Sequence, residues 1–155
     1  MNKLLIIIDM QNDFIDGALA NSAAQAIVPG IVELAKTWQG KIGVTLDTHN
    51  ENYLETQEGK KLPVPHCVIN TPGHDLNDQI AAVISNKISY LIKKPTFGYI
   101  GWSQYGLDKH FDEITIKAAC PETEVTVIAD LCAGLSTEKH EAALEVMRSC
   151  QINII

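Results

Sequence analysis

Leu4-Leu5-Ile6-Ile7-Ile8 runs apolar without a break and then stops at Asp9. An unalternating run of this length predicts a strand over residues 3–8 buried on both faces, as in a parallel sheet covered by helices. It is too short for the core of an export signal and far too short to span a bilayer. The pattern then recurs. KIGVTL predicts a strand at 41–46 that leads into Asp47, and ISYLI one at 88–92 that leads into Lys93 and Lys94. Further strands are expected at 113–116, at 125–129 and in the closing INII. Pro29 suits the first turn of a helix running to Gly40, Asp75 can cap one through Ser85, and Ser136 can cap one over 137–149. Residues 50–74 are expected to form a long loop. Such alternation predicts an α/β fold, a doubly wound, mainly parallel β-sheet flanked by helices, in one domain over residues 1–155.

One link breaks the pattern. Only Lys117 to Thr123 separate the strand ending at Ile116 from the next at Glu124. A crossover between parallel neighbours needs roughly ten or more residues, normally a helix. Either these strands are not parallel neighbours, or a helix expected after the fourth strand is absent from the sequence.

In a doubly wound sheet, ligands sit beyond the carboxyl ends of the strands. Asp9, Asp47 and the Lys93–Lys94 pair all fall there. Asp47 and His49 alternate, so an extended chain presents both on one side. His66, approached through Pro63 and Pro65, could supply a third ligand, and Glu51 or Glu58 a further carboxylate. Asp and His ligands suit a divalent metal, zinc first with iron or manganese as alternatives, and three protein ligands leave positions open. The competing reading is a solvated loop with scattered histidines. Asp9, partly desolvated at a strand tip, suits acid–base work; its alternative is a loop-ordering carboxylate. Gln11 stands where a phosphoaspartate enzyme would carry a second aspartate, which disfavours phosphoryl transfer. Lys94 can hold a neighbouring thiolate in its ionised form, whereas a lysine snorkelling off a strand end describes Lys93 better.

Charge and cysteines narrow the partners. A net charge of −7 with a single arginine, Arg148, excludes the basic stripe that nucleic acid requires. The shortage of arginine also disfavours substrates bearing several phosphates or carboxylates. Cys67, Cys120, Cys132 and Cys150 are widely spaced, with no C-x-x-C pair, and read as free thiols. Without an export signal, a cytoplasmic protein with no membrane partner is expected.

The stretches LLIIIDMQNDF, LDTHNENY, KLPVPHC with T-P-G after it, and KKPTFG resemble, in order and spacing, the isochorismatase-like cysteine hydrolases. The resemblance is to their nicotinamidase/pyrazinamidase branch; it covers residues 1–116, and VTVIADLCAGLSTEKHEAAL is similar to the later strand and final helix. It implies a metal-dependent amidohydrolase that takes nicotinamide and water to nicotinate and ammonia. Asp9 would be the acid–base carboxylate and Lys94 the lysine supporting the thiolate. Asp47, His49 and His66, with Glu58 as a possible extra ligand, would hold the metal that orients the pyridine nitrogen. Phe14 and Phe97 would line the substrate pocket, and Leu62 stands where many members carry a Trp. Small hydrolases of this kind often self-associate, so a homo-oligomer is one expectation.

The family's Gly-x-x-T-D-x-C-V turn, which carries the nucleophile, is absent: EITI runs straight into KAACPE, where the crossover is also too short. None of the four cysteines stands in such a turn. The readings left open are an amidohydrolase of nicotinamidase type, a truncated homologue that binds metal and a small ligand without turnover, and a family hydrolase of another amide or of isochorismate.

Overall fold

The computed structural model describes residues 3–96 and 124–155. The expected fourth strand at 113–116, the short link at 117–123, Phe97 and Cys120 lie outside the described residues. The chain divides into two compact units, Met1–Phe97 and Gly98–Ile155.

In the first unit, β1 (Leu4–Ile8), β2 (Lys41–Asp47) and β3 (Ile88–Lys94) form a parallel sheet in that order. β2 is central and buried from Ile42 through Asp47. β3 runs two residues beyond the expected 88–92, so that Lys94 pairs in register with Asp47. Side chains opposite each other in a sheet share a face, and this register makes the two polar residues neighbours.

The β1–β2 crossover helix, α2, spans Ser22–Thr37 rather than 29–40. Asn21 caps it, accepting from Ala23 N at 2.9 Å, and the residues after the cap are good helix formers. Pro29 therefore sits inside the helix, not in its first turn. Packing of Ala24, Val28, Ile31 and Ala35 offsets the main-chain bond that the proline ring cannot make. The helix stops at Thr37, where Lys87 Nζ donates to Ala35 O at 3.3 Å and Lys36 O at 3.0 Å. A lysine cap on terminal carbonyls thus replaces the expected stop at Gly40. α4 (Asp78–Ile84) is capped by Asn77, not Asp75. Asp75 instead closes a 3₁₀ turn over Pro72–His74, donating to Pro72 O. α2 and α4 pack on each other and so lie on one side of the sheet.

The expected loop at 50–74 is more ordered than its composition implies. It holds a 3₁₀ turn at Tyr53–Glu55 and a short helix, α3 (Gln57–Lys61), capped by Thr56. α1 (Asn12–Ile15) follows β1 directly.

The second unit pairs β4 (Thr126–Val127) with β5 (Asn153–Ile154) in parallel, connected through α5 (Thr137–Ser149). Ser136 caps α5, accepting from Lys139 N at 3.3 Å. Val127, Leu144 and Ile152 form its core, with Cys150 packed against them. The expected strand at 125–129 is shorter because the chain turns into a 3₁₀ turn at Ala129–Leu131.

Candidate metal centre and acid–base pair

The chain leaves β1 by way of Asp9, whose φ of 52 places a non-glycine residue in the left-handed region. Thr45, 1% exposed in the neighbouring strand, holds it there. Asp9 N donates to Thr45 Oγ1 at 3.1 Å, and that hydroxyl donates to Asp9 Oδ1 at 2.5 Å. The second carboxylate oxygen accepts from Lys94 Nζ at 2.5 Å. Lys94 is only 8% exposed, so this is a partly buried ion pair and not a surface lysine. Lys93, by contrast, is exposed.

A second cluster lies in the same unit. One ligand-type atom from each of Asp47, His49, Glu58 and His66 falls within 4.8 Å of all the others. Asp47 Oδ2 lies 3.0 Å from His49 Nε2 and 3.4 Å from His66 Nε2, and Glu58 Oε1 is 3.8 Å from His49 Nε2. His49 Nε2 is buried and, although Asp47 Oδ2 lies 3.0 Å away, the ring is not aligned for a hydrogen bond with it. Such an orphaned nitrogen among two carboxylates and a second imidazole is what a divalent cation would satisfy. His66 Nδ1 lies 2.8 Å from Val64 O. With the proton on Nδ1, this bond leaves Nε2 facing the cluster, the arrangement that orients a ligating imidazole. Glu51, the other candidate in that loop, is not among the four.

The loop is folded onto the sheet by main-chain pairing. His49 N donates to Cys67 O at 3.0 Å and Ile69 N to His49 O at 2.8 Å, which forms a parallel bridge between His49 and Val68. Asp13 Oδ2 accepts from Cys67 N at 2.7 Å. A Cβ at Gly73 would strike the Asp13 carboxylate and push it off Cys67 N. Tyr53, 1% exposed, meets His49 obliquely with centroids 4.5 Å apart and His66 edge-on at 5.0 Å. Phe14 meets the His66 ring at 5.5 Å, whereas Leu62 is exposed.

Electrostatics follow from this packing. Burial pushes the Asp47 carboxyl up, but the His66 hydrogen bond and the charges of His49, Lys94 and His66 more than offset it, leaving the group below the usual carboxylate range. His66 is raised: burial lowers it, while the bonds to Asp47 and Val64 O and the charges of Asp47 and Glu58 prevail. Cys67 is fully buried. Burial, then the charges of Asp47, Asp13 and Asp9, drive its thiol far above its ordinary value against the opposing pull of Lys94.

These shifts set a pH dependence for the metal-free protein. A histidine raised on folding contributes stability that is complete below its unfolded value, about 6.5, and is lost as pH rises through the folded value. Asp47, lowered on folding, contributes stability present above about pH 3.9 and lost as pH falls through its own folded value. The His66 contribution to the urea midpoint should therefore be lost between pH 6 and pH 8.5 without metal, against the opposite trend of His74, which burial and Lys93 hold down. Zinc loading should reverse the His66 trend, because the metal displaces the His66 proton. Parallel curves with and without zinc would contradict this.

Thr45, Tyr53 and Gln11 were not expected from the sequence. Thr45 acts on Asp9, distant in the chain, and Tyr53 on His66 as well as on nearby His49, with no motif to mark either. Alternation along β2 does place Thr45 on the face of Asp47, and that was the available clue.

A family profile described as the isochorismatase domain matches residues 3–118. The nicotinamidase/pyrazinamidase of Mycobacterium tuberculosis is 28% identical over 185 positions, covering 99% of this chain and 98% of that protein. This chain has 155 residues, so at least 30 interior positions of that relative have no counterpart here. Among solved structures, a nicotinamidase/pyrazinamidase from Bacillus subtilis superposes with a TM-score of 0.78 at 19% identity, covering 99% of each chain. A Pyrococcus horikoshii pyrazinamidase determined in complex with zinc has a TM-score of 0.61 at 25% identity, covering 98% of this chain and 97% of that one.

Proposed function

We propose that this chain, which belongs to the isochorismatase domain family, is a metal-dependent amidohydrolase that converts nicotinamide and water to nicotinate and ammonia. The observation that carries this reading is the Asp9–Lys94 pair, a carboxylate held on both oxygens at the tip of β1. It is supported by the ligand cluster in the same unit, by the identity to the mycobacterial enzyme and by the zinc in the Pyrococcus relative.

Asp47, His49, His66 and Glu58 would hold the divalent metal, with zinc the best match to two imidazoles and two carboxylates. The metal would supply a Lewis-acidic point that orients the pyridine ring. Asp9 takes the proton of an attacking thiol and returns it to the departing nitrogen. The thiolate bonds to the carboxamide carbon, the C–N bond breaks, and ammonia leaves with the proton. Asp9 then deprotonates water, which attacks the thioester, frees nicotinate and restores the thiol. Lys94, bonded to Asp9 Oδ2, orients that carboxylate and offsets negative charge as it develops.

Cys67 is unsuited to be that thiol, being fully buried and strongly disfavoured as a thiolate. Together with the 30 or more unmatched positions, its burial favours a second reading, a metal- and pyridine-binding protein without turnover. Ammonia release from nicotinamide separates the two. Zinc-loaded protein is expected to release ammonia and to stop when a chelator strips the metal. No release from metal-replete protein that still binds nicotinamide would establish the binder instead.

A further inference from the structure

Gln11 belongs neither to the acid–base pair nor to the ligand cluster, yet it is 0% exposed and its amide is bonded at both ends. Oε1 accepts from Asp47 N at 2.7 Å, while Nε2 donates to Asp47 O at 2.9 Å and to His74 O at 2.8 Å. Strand register explains the arrangement. β1 pairs with β2 as far as Ile8 opposite Thr45, and Asp9 N still donates to Thr45 O. Asp9 then turns into the left-handed region, and the main chain leaves the sheet before it can pair with Asp47. A primary amide offers one acceptor beside one donor, the same pair that a strand presents. The Gln11 side chain therefore continues the β1–β2 ladder across Asp47, whose other neighbour is Lys94 in β3. Its third bond ties in the turn of His74, whose Nε2 lies 2.9 Å from Thr48 Oγ1, next to Asp47 in sequence.

We propose that Gln11 is a positioning residue for the metal ligand Asp47, a side-chain extension of the sheet that sets where its carboxylate meets His49 and His66. This rests on the reading of those residues as a divalent-metal centre. The test is zinc affinity, by competition with a chromophoric chelator, together with the visible spectrum of the cobalt-loaded protein. Gln11→Glu keeps the acceptor for Asp47 N but sets an oxygen against two carbonyls; Gln11→Met keeps the volume and removes all three bonds. Both are expected to bind zinc 10- to 100-fold more weakly, about the loss that follows when a ligand's support is removed, and to shift the cobalt bands. Ile84→Val, in the core of α4, should change neither. Folded variants with parental zinc affinity and cobalt spectrum would overturn the proposal. So would variants that saturating zinc cannot fold, since Gln11 would then act in folding and not on the ligand. Failure of the parent protein to bind zinc would instead overturn the metal centre itself.

Discussion

Asp9→Asn is expected to lower kcat for nicotinamide by roughly 10²- to 10⁴-fold, the range that a positioned acid–base group supplies, with zinc affinity left within a few-fold of the parent. Asparagine retains an oxygen that can accept from Thr45 Oγ1, so the turn out of β1 keeps its anchor. It presents a neutral amide to Lys94 Nζ, however, and cannot take a proton. The ligand cluster is untouched, because its members come from β2, α3 and the segment that pairs with His49. A stability cost accompanies the change. Lys94 is nearly buried but Asp9 is partly exposed, so removing one partner should cost less than the about 3–5 kcal/mol typical of a fully buried pair. The kinetics should therefore be read on protein shown to be folded, and Lys94→Met in the same chain should restore stability without activity. A kcat within tenfold of the parent would remove Asp9 from the proton-transfer role.

How this site could be anticipated varies with the kind of signal each residue carries. Asp9, Asp47 and Lys94 are legible because an apolar run that stops at a charge marks a strand end. His49 follows from period-two alternation. Glu58 and His66 are marked only by residue type and by the family resemblance, since nothing local says that the 50–74 segment folds back on the sheet. That return depends on the His49–Val68 bridge and on the Asp13–Cys67 bond, both long-range. In the sequence Gln11 reads only as the absence of a second aspartate. Its role depends on Asp9 leaving the sheet through a positive φ, which composition does not encode. Pro29 misled for a related reason, because a cap eight residues earlier and a packed helical face outweigh the local preference of proline.

The fold as a whole was easier to anticipate than the chemistry. Buried parallel strands announce themselves by unbroken apolar runs, and the crossover helices follow from chain length between them. A nucleophile has no such periodicity. Its usual signal in this family is a turn motif that the sequence lacks, and the described cysteine nearest the site in sequence, Cys67, is buried where its thiolate is disfavoured. The proton-handling and metal-holding parts of a hydrolase can therefore be argued residue by residue here, while the thiol has to be found by substitution.

Asp47→Asn is expected to weaken zinc binding about 10²-fold or more and to abolish the metal-dependent part of the activity. Zinc held by a full set of protein ligands binds with roughly 10–16 kcal/mol. One ligand in four then accounts for about 3 kcal/mol, which corresponds to a factor of about 10². Asp47 should lie at or above that share, since its Oδ2 is the oxygen close to both imidazoles and its neighbourhood favours the anion. The side chain of Glu58 is 29% exposed and lies 3.8 Å from His49 Nε2, farther than Asp47 Oδ2 is from either imidazole, so Glu58→Gln should cost less, about tenfold. A second, metal-free readout follows from the same change. Asparagine can no longer hold the proton on His66, and the loss of the His66 contribution to the urea midpoint between pH 6 and pH 8.5 should flatten. Calorimetric zinc titrations of the two variants and urea curves at those pH values test both parts. Zinc binding by Asp47→Asn within threefold of the parent, or a larger loss from Glu58→Gln, would move the metal away from this cluster.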